Sequence, residues 1–509
     1  MALAPGVRVA PPASDSDSDR AGARLGPGIQ TAAQLHRLGR VFMTNALTLS
    51  GQSIDRVGRS QALRLRPTLG VAILATLLMS LPNLLDPMVR HDDFPALFSE
   101  PGPFWAKTLN EGRWVNYLWH LRGVVTPAWL NFAVYQLLWA SFASAIAVAA
   151  IGQRDDKWYA TVLALLVVTA HSATAMSLWF NTLMPGLALV ALYAVLGIFL
   201  SQRAHRTLLP PFVILSFMAY TTYPLLLLAV CLVSTRKRSV ADLIGLIALF
   251  TLSFAAAVLT VYTINLQVHG IFGVPLADWR NALPAKDVAG LLSNLPFVLD
   301  SLRLFVAGTS YNIDVVAIFH LVVLSLSTLV MIRKAPLETL YLYAGILIGL
   351  ALVAAQNLKL GVIVPPRAFI FAWVFYVVLI VRAAQYLSQS SGFAGRAARN
   401  LALLMFACHF LMNVDQYNYY RAWQNETRAI AENIAGAREP VLIKGNVLEM
   451  PSAKAAFVQN NEALLHRIRQ VANKQAILCE ADPESCEKIE AKWASRGTET
   501  GVIVEVNAN

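Results

Sequence analysis

Uncharged apolar runs of about 20 residues, the length that spans a hydrocarbon layer of roughly 30 Å as helix, recur along most of this 509-residue chain. They lie near residues 69–85, 128–152, 158–178, 183–202, 243–266, 315–332, 339–358 and 368–387, with a weaker run at 400–420. A bilayer suits such a succession, because each helix pairs its own backbone groups where no water can reach them. Composition closes off the soluble alternative. Hydrophobic types make up 56% of the chain and charged types 14%, against roughly 45–50% and 25% in soluble domains, too few charges to cover a water-exposed surface. The first run follows about 65 polar residues and is read as a span, not a cleaved signal peptide.

The net charge of +11, from 41 Lys and Arg against 30 Asp and Glu, does not gather on one soluble face as nucleic-acid binding requires. It falls between the apolar runs. Nine arginines and no lysine precede Pro67, among them Arg37, Arg40, Arg64 and Arg66. The clusters Arg203/Arg206, Arg236-Lys237-Arg238, Arg333-Lys334 and Arg396/Arg399 follow in alternate gaps. Positive charge marks the cytoplasmic side of a membrane helix, so these gaps are expected inside and the others outside. Residues 207–235 are uncharged, yet basic clusters flank both ends. The arms on either side of Tyr220-Thr221-Thr222-Tyr223-Pro224 have about 12 residues each, or ~18 Å as helix, too short to cross alone. A pair of short helices with Thr221 and Thr222 at the tip is predicted there. The expected fold class is an all-α polytopic membrane protein of about 11 transmembrane or membrane-dipping helices, N-terminus inside and C-terminus outside, with a small C-terminal α/β domain.

Three parts are expected. Residues 1–66 open with Ala, Pro, Gly and alternating Ser and Asp, a composition that supports no core, and read as a disordered Arg-rich cytoplasmic arm with one surface helix at 31–49. Residues 67–420 hold the spans and two long outer loops, 86–126 and 267–314. Residues 421–509 carry 12 acidic and 11 basic side chains and alternate helical stretches with the β-type runs Val441-Leu442-Ile443, Ala476-Ile477-Leu478 and Val502-Ile503-Val504. This tail has no glycine-rich phosphate loop and no metal-ligand spacing, which leaves packing or partner contact as its role. Cys231 and Cys408 sit in apolar runs and read as packing residues. Cys479 and Cys486 lie in the tail, where an oxidising compartment gives a disulfide and a reducing one two thiols.

Helix bundling alone has no use for long loops, so a site is sought in them. The first loop opens with Arg90-His91-Asp92-Asp93-Phe94. Adjacent carboxylates repel, which holds a proton on one of them to higher pH unless a cation intervenes. At the membrane surface such a group suits a general base that takes the proton of an acceptor hydroxyl; an ordinary solvated acidic turn is the plain alternative. Further on, Trp114, Tyr117, Leu118 and Leu121 recur at helical spacing while Arg113, Asn116 and His120 line another face. The tryptophans there suit a helix lying in the headgroup layer, from which Arg113 either presents its guanidinium to a lipid phosphate or merely snorkels. Lys359 and Arg367 flank the loop after the 339–358 run. They suit a phosphate leaving group or, equally, headgroup snorkelling.

A first span, an outer loop with Asp92-Asp93, then Gly112-Arg113-Trp114 about twenty residues later, resembles the bacterial O-antigen glucosyltransferase family, part of the GT-C class of membrane glycosyltransferases. The likeness in layout covers roughly residues 69–420. It implies a bacterial inner-membrane enzyme that takes a hexose, glucose first, from a polyprenyl-phosphate carrier at the outer face and passes it to an envelope glycan such as O-antigen. Its partners would be that carrier sugar, the glycan acceptor and membrane lipids, with no nucleic acid. The resemblance carries the catalytic role onto Asp92 and Asp93. The implied site lies where the first loop meets the segments around Tyr220 and Pro365-Pro366-Arg367. There Arg113, Lys359 and Arg367 are expected against the donor phosphate, and His91, Trp114, Tyr220 and Tyr223 along the substrate. A lipid phosphate met by cations leaves adequately, so no nucleotide fold is needed, and a divalent metal stays open with nothing to indicate it.

Two rivals stand beside this reading. A polyprenyl-linked sugar flippase or transporter would use residues 207–235 as a discontinuous binding helix, but it should carry polar residues along several spans, and these are nearly free of them. A non-catalytic assembly subunit would use the tail for contact. Elsewhere, Arg280, Lys286 and Arg303, near a surface helix at 288–306, read as packing, and Asn181 reads as turn chemistry. Asp155-Asp156 is neutralised by Arg154 and Lys157 and reads as a solvated turn. His171, His320 and His409 stand singly in spans, with no carboxylate at relay spacing, and are expected to serve structural hydrogen bonds.

Overall fold

The computed structural model describes residues 56–152, 157–277, 280–390, 392–437, 441–496 and 502–506. The arm up to residue 55, with its predicted 31–49 helix, and the Asp155-Asp156 turn lie outside the described residues. In chain order the principal helices are α1 (Arg56–Leu84), the loop helices α2 (Pro101–Glu111) and α3 (Trp114–His120), α4 (Ala128–Ile151), α5 (Lys157–Val168), α6 (Phe180–Phe199), α7 (Leu209–Phe217), α8 (Tyr223–Ser234), α9 (Val240–His269), α10 (Leu295–Thr309), α11 (Asp314–Lys334), α12 (Pro336–Leu360), α13 (Ile370–Ser390), α14 (Gly392–Asn418) and α15 (Arg421–Asn433). Among the described residues, nine helices are long and apolar enough to cross a membrane by length and composition. Residues 207–235 fold as α7 and α8 with Thr221 and Thr222 in the turn between them, as their spacing predicts.

Two stretches depart from the sequence reading. The run expected at 158–178 breaks after Val168, leaving α5 with 12 residues, about 18 Å; helix resumes over His171–Phe199. At the break Ala170 leaves the helical region (φ −59°, ψ 124°), one residue after Thr169, whose hydroxyl donates back to the Leu165 carbonyl (3.0 Å). Conversely, Val288–Thr309, expected as a surface helix, is long and apolar enough to stand among the nine.

α13 is the central post, because the whole of its apolar window is buried inside the protein. α12 packs against it through Gly345 and Gly349, one turn apart. A Cβ at either position would fall 2.2 Å from the Phe375 ring or 2.0 Å from the Phe371 ring, so only glycine lets the two backbones approach this closely.

Past α15, β1 (Val441–Lys444), α16 (Ala463–Ala472), β2 (Ala476–Leu478), α17 (Pro483–Arg496) and β3 (Val502–Glu505) form the small α/β unit. Its three strands are parallel in the order β2-β1-β3, with Val441 opposite both Ala476 and Val502. Parallel neighbours need crossovers, which the intervening helices supply. Cys479 and Cys486 are disulfide-bonded, with Cα atoms 5.5 Å apart. The unit is fastened to the start of the first loop: buried Asp86 takes Arg467 and, at 3.1 Å, Arg428, and the Arg90 guanidinium donates to the Phe457 carbonyl (2.9 Å). Removing one partner of such a buried ion pair leaves a costly lone charge, so the contact fixes orientation.

Candidate active site

The two carboxylates of the first loop have opposite surroundings. Asp93 is fully buried and caps α6 from 88 residues upstream. One of its oxygens accepts the Thr182 N–H (2.7 Å), and the other accepts the Asn181 N–H (3.1 Å) and the Asn181 side-chain amide (2.8 Å). Asn181 and Thr182 lie in the first turn of α6, where backbone N–H groups have no partner within the helix and the dipole favours negative charge. Asn181 is held in turn by the amide of Asn131 (2.8 Å). Burial pushes the Asp93 pKa up to about 6, against the pull of its hydrogen bonds from Thr182 and Asn181. Asp93 therefore positions the loop and offers no free face to a substrate.

Asp92 keeps 42% of its side chain exposed. The Trp179 indole N–H donates to one oxygen, and the Lys107 ammonium lies 3.9 Å from the other while donating to the Asp92 backbone carbonyl at 3.2 Å. Burial pushes its pKa up, but Lys107, His91, the Trp179 bond and Arg113 outweigh that and hold it below the ordinary carboxylate value. It is ionised and accessible at neutral pH. Lys107 is lowered by burial and by Arg113, against the pull of Asp92, Glu111 and Asp93. His91, beside Asp92, is likewise lowered by burial, against the pull of Asp92.

The cations around Asp92 arrive from three elements. α2 ends at Gly112, whose φ of +69° and the Val261 methyl 2.8 Å from where a Cβ would sit demand glycine. That turn sends Arg113 onto Glu111 and over the Tyr220 ring at 5.6 Å. Glu111 also takes Arg280 of the second long loop at 3.6 Å, so the two loops meet there. Arg367 lies 4.3 Å over the Trp179 ring. Asp92, Lys107, Trp179, Arg367 and His91 thus form one group, with Arg113 and Tyr220 beside it.

Three expected residues have partners outside the Asp92 group. Lys359 donates to the Ala285 carbonyl at 2.8 Å and pins the second loop. Trp114 is buried, donates to Asn265 at 2.9 Å and packs on Trp105 and His269. Tyr223 is fully buried and donates to the Leu183 carbonyl (3.2 Å). Along α3 and just beyond it, Leu118 and Leu121 are exposed while Asn116 and His120 are buried, an arrangement in which an apolar surround takes the leucines. Asn116 finds the Ala219 carbonyl (3.1 Å).

Sequence reasoning passed over Lys107 and Trp179. Their only signals are a lysine in a loop next to the acidic pair and a tryptophan at the mouth of a span. Asn181, read as turn chemistry, serves Asp93 instead. The three single histidines gather in the bundle: His320 and His409 meet through their Nε2 atoms at 3.2 Å, His320 Nδ1 pairs with the Tyr376 hydroxyl (2.8 Å), and Tyr311 stands between His409 (3.3 Å) and the edge of His171. Among the described residues no three His, Cys, Asp or Glu side chains are grouped so as to hold a metal ion. Compared with known proteins, the chain matches no family model and no curated protein.

Proposed function

We propose that the chain is an integral membrane glycosyltransferase that moves a hexose, glucose first, from a polyprenyl-phosphate carrier to an envelope glycan, with Asp92 as general base. One observation carries the reading: an accessible, ionised carboxylate, in the company of Lys107, Arg367 and Arg113, at the loop end of an apolar bundle. As the acceptor oxygen attacks the anomeric carbon, its proton passes to Asp92, and the bond from that carbon to the carrier phosphate breaks with its electron pair on the phosphate oxygen. The cations meet the charge that develops there. Attack opposite the leaving group inverts the anomeric centre. The likeness to the O-antigen glucosyltransferases in the Asp92-Asp93 and Gly112-Arg113-Trp114 pattern supports the same assignment.

The proposed setting is a bacterial inner membrane, with the N-terminal arm cytoplasmic and the C-terminal unit periplasmic. The alternating basic clusters support it, as does the Cys479–Cys486 disulfide, which belongs in an oxidising compartment. The test uses proteoliposomes holding polyprenyl-phosphate glucose labelled in the sugar, with envelope glycan outside. Labelled glycan is expected, together with a fall of about 100- to 10,000-fold for Asp92→Asn. Label that only changes leaflet would identify a flippase and overturn the reading.

A further inference from the structure

A cleft of about 530 Å³ opens between His91 and the C-terminal unit, lined on that side by Gln459, Asn460, Asn461, Glu462 and Glu480. It shares His91 with the Asp92 group, so the C-terminal unit supplies one wall of a depression that begins next to the accessible carboxylate. The two walls are held in register, since Asp86 and Arg90 anchor the loop to Arg467, Arg428 and the Phe457 carbonyl.

The lining narrows the ligand. Three successive carboxamides line it, and a carboxamide donates and accepts as a hydroxyl does. Asn460 is committed to Glu462, whose N–H it accepts at 2.6 Å and to whose carboxylate it donates at 3.4 Å, which leaves Gln459 and the Asn461 amide to a ligand. Asn461 spends its carbonyl oxygen on the Leu448 N–H (3.1 Å), which leaves its amide donors for a ligand. Glu462 and Glu480 add acceptors for hydroxyl protons, and among the described residues no lysine or arginine lines the cleft. His91 adds little positive charge, because burial lowers its pKa. A phosphate or an acidic sugar would meet the carboxylates of Glu462 and Glu480 here, whereas Lys107, Arg113 and Arg367, the cations that suit a phosphate, are outside the lining. Leu448 and Leu478 give the cleft apolar patches against which the carbon faces of a sugar ring can lie.

We propose that this cleft is the acceptor subsite: it takes a neutral, polyhydroxylated glycan and presents one hydroxyl past His91 to Asp92. The proposal rests on the transferase reading for the use made of the glycan, but binding can be read without turnover. Full-length protein in lipid nanodiscs would be titrated with size-fractionated neutral polysaccharide released by mild acid from the envelope of the producing cells. Gln459→Ala/Glu480→Ala removes two exposed side chains with no structural bond, and Asn461→Asp keeps the oxygen that caps Leu448 while deleting the amide donors.

The expected result is a Kd weakened at least tenfold in each variant, with the melting temperature and the Kd for polyprenyl-phosphate glucose unchanged. Wild-type protein that binds none of the polysaccharide, or variants that bind it as tightly as wild type, would overturn the proposal. If wild type binds and the variants do not, yet no polyprenyl-phosphate hexose is ever transferred, the cleft stands and the transferase reading fails. Transfer with an unchanged acceptor KM in the variants would sink the cleft and leave the transferase reading intact.

Discussion

Carboxylates stand at both ends of the helical bundle, and Asp92 at the loop end is held differently from Asp242 and Glu338 at the other. α9 runs from Asp242 to His269 beside the first loop, and α12 from near Glu338 to Lys359 beside the second, so Asp242 and Glu338 lie at the end away from the loops. Glu338 takes a bidentate Arg382 at 2.6 and 2.8 Å, with Arg238 at 3.4 Å and the Tyr386 hydroxyl at 3.3 Å. Asp242 takes the Arg206 fork and the Tyr341 hydroxyl (2.7 Å). Asp92, at the loop end, has one indole N–H and a lysine 3.9 Å away. A carboxylate whose lone pairs are all engaged by fixed cations has no capacity left for a proton or a substrate, whereas one with open capacity and a cation nearby has both charge and room. The first kind holds helices together; the second is where chemistry is to be sought.

The sharpest way to break this contrast is to neutralise one acid of each kind. Asp92→Asn should lower transfer by about 100- to 10,000-fold, the usual span for losing a general base, while thermal unfolding in detergent stays within about 0.5 kcal/mol of wild type, as for other exposed positions. Glu338→Ala should do the reverse. It strands the buried Arg382 and costs about 3–5 kcal/mol of stability, seen as a lower Tm and poor yield, with normal turnover per folded molecule. A Glu338→Ala protein as stable as wild type would remove the structural half of the comparison.

The pH profile separates the two acids of the loop. If Asp92 is the base, the acid limb of kcat/KM falls below the ordinary carboxylate value, since Lys107 and the Trp179 bond hold its pKa down against burial. If Asp93 were the base, the limb would lie near pH 6. Stability gives a second reading with a definite sign. Because the folded pKa of Asp93 is raised, the folded state binds the extra proton between about pH 4 and 6. Its contribution is thus complete below pH ~4 and lost as pH rises to about 6, on the order of 3 kcal/mol over two units. The Tm of wild type relative to Asp93→Asn, which carries no such proton, should fall across that window and stay flat above it.

Much of this was legible in the chain, and what was not has a common cause. The apolar runs, the short α7 and α8 pair and the three strands declare themselves because each depends on local composition and period. The break after Val168 does not, since Thr169 and Ala170 are as compatible with a membrane helix as their neighbours and the turn of the backbone at Ala170 leaves no mark in hydropathy. The Asp92-Asp93 pair was visible as a pair, but its division of labour was not. That division is imposed by Trp179, Asn181 and Thr182, nearly ninety residues away, whose approach is a fact of packing. Lys359 shows the same limit: a lone cation outside a span gives no sign in the sequence of the Ala285 carbonyl to which it donates.

The smallest expected effect probes the contrast most finely, by removing one donor from each kind of acid. Trp179→Phe deletes the indole N–H that favours the charged form of Asp92, and keeps an aromatic face for Arg367. The acid limb should move up toward the ordinary carboxylate value, and kcat/KM at neutral pH should fall about 3- to 10-fold, the worth of one hydrogen bond to a partly open group. Tyr386→Phe deletes one donor from Glu338 and leaves the Arg382 fork and Arg238 in place. It should shift neither limb nor rate. If the two substitutions gave the same pH profile, Asp92 would be as saturated as Glu338, and its openness would not be the source of activity.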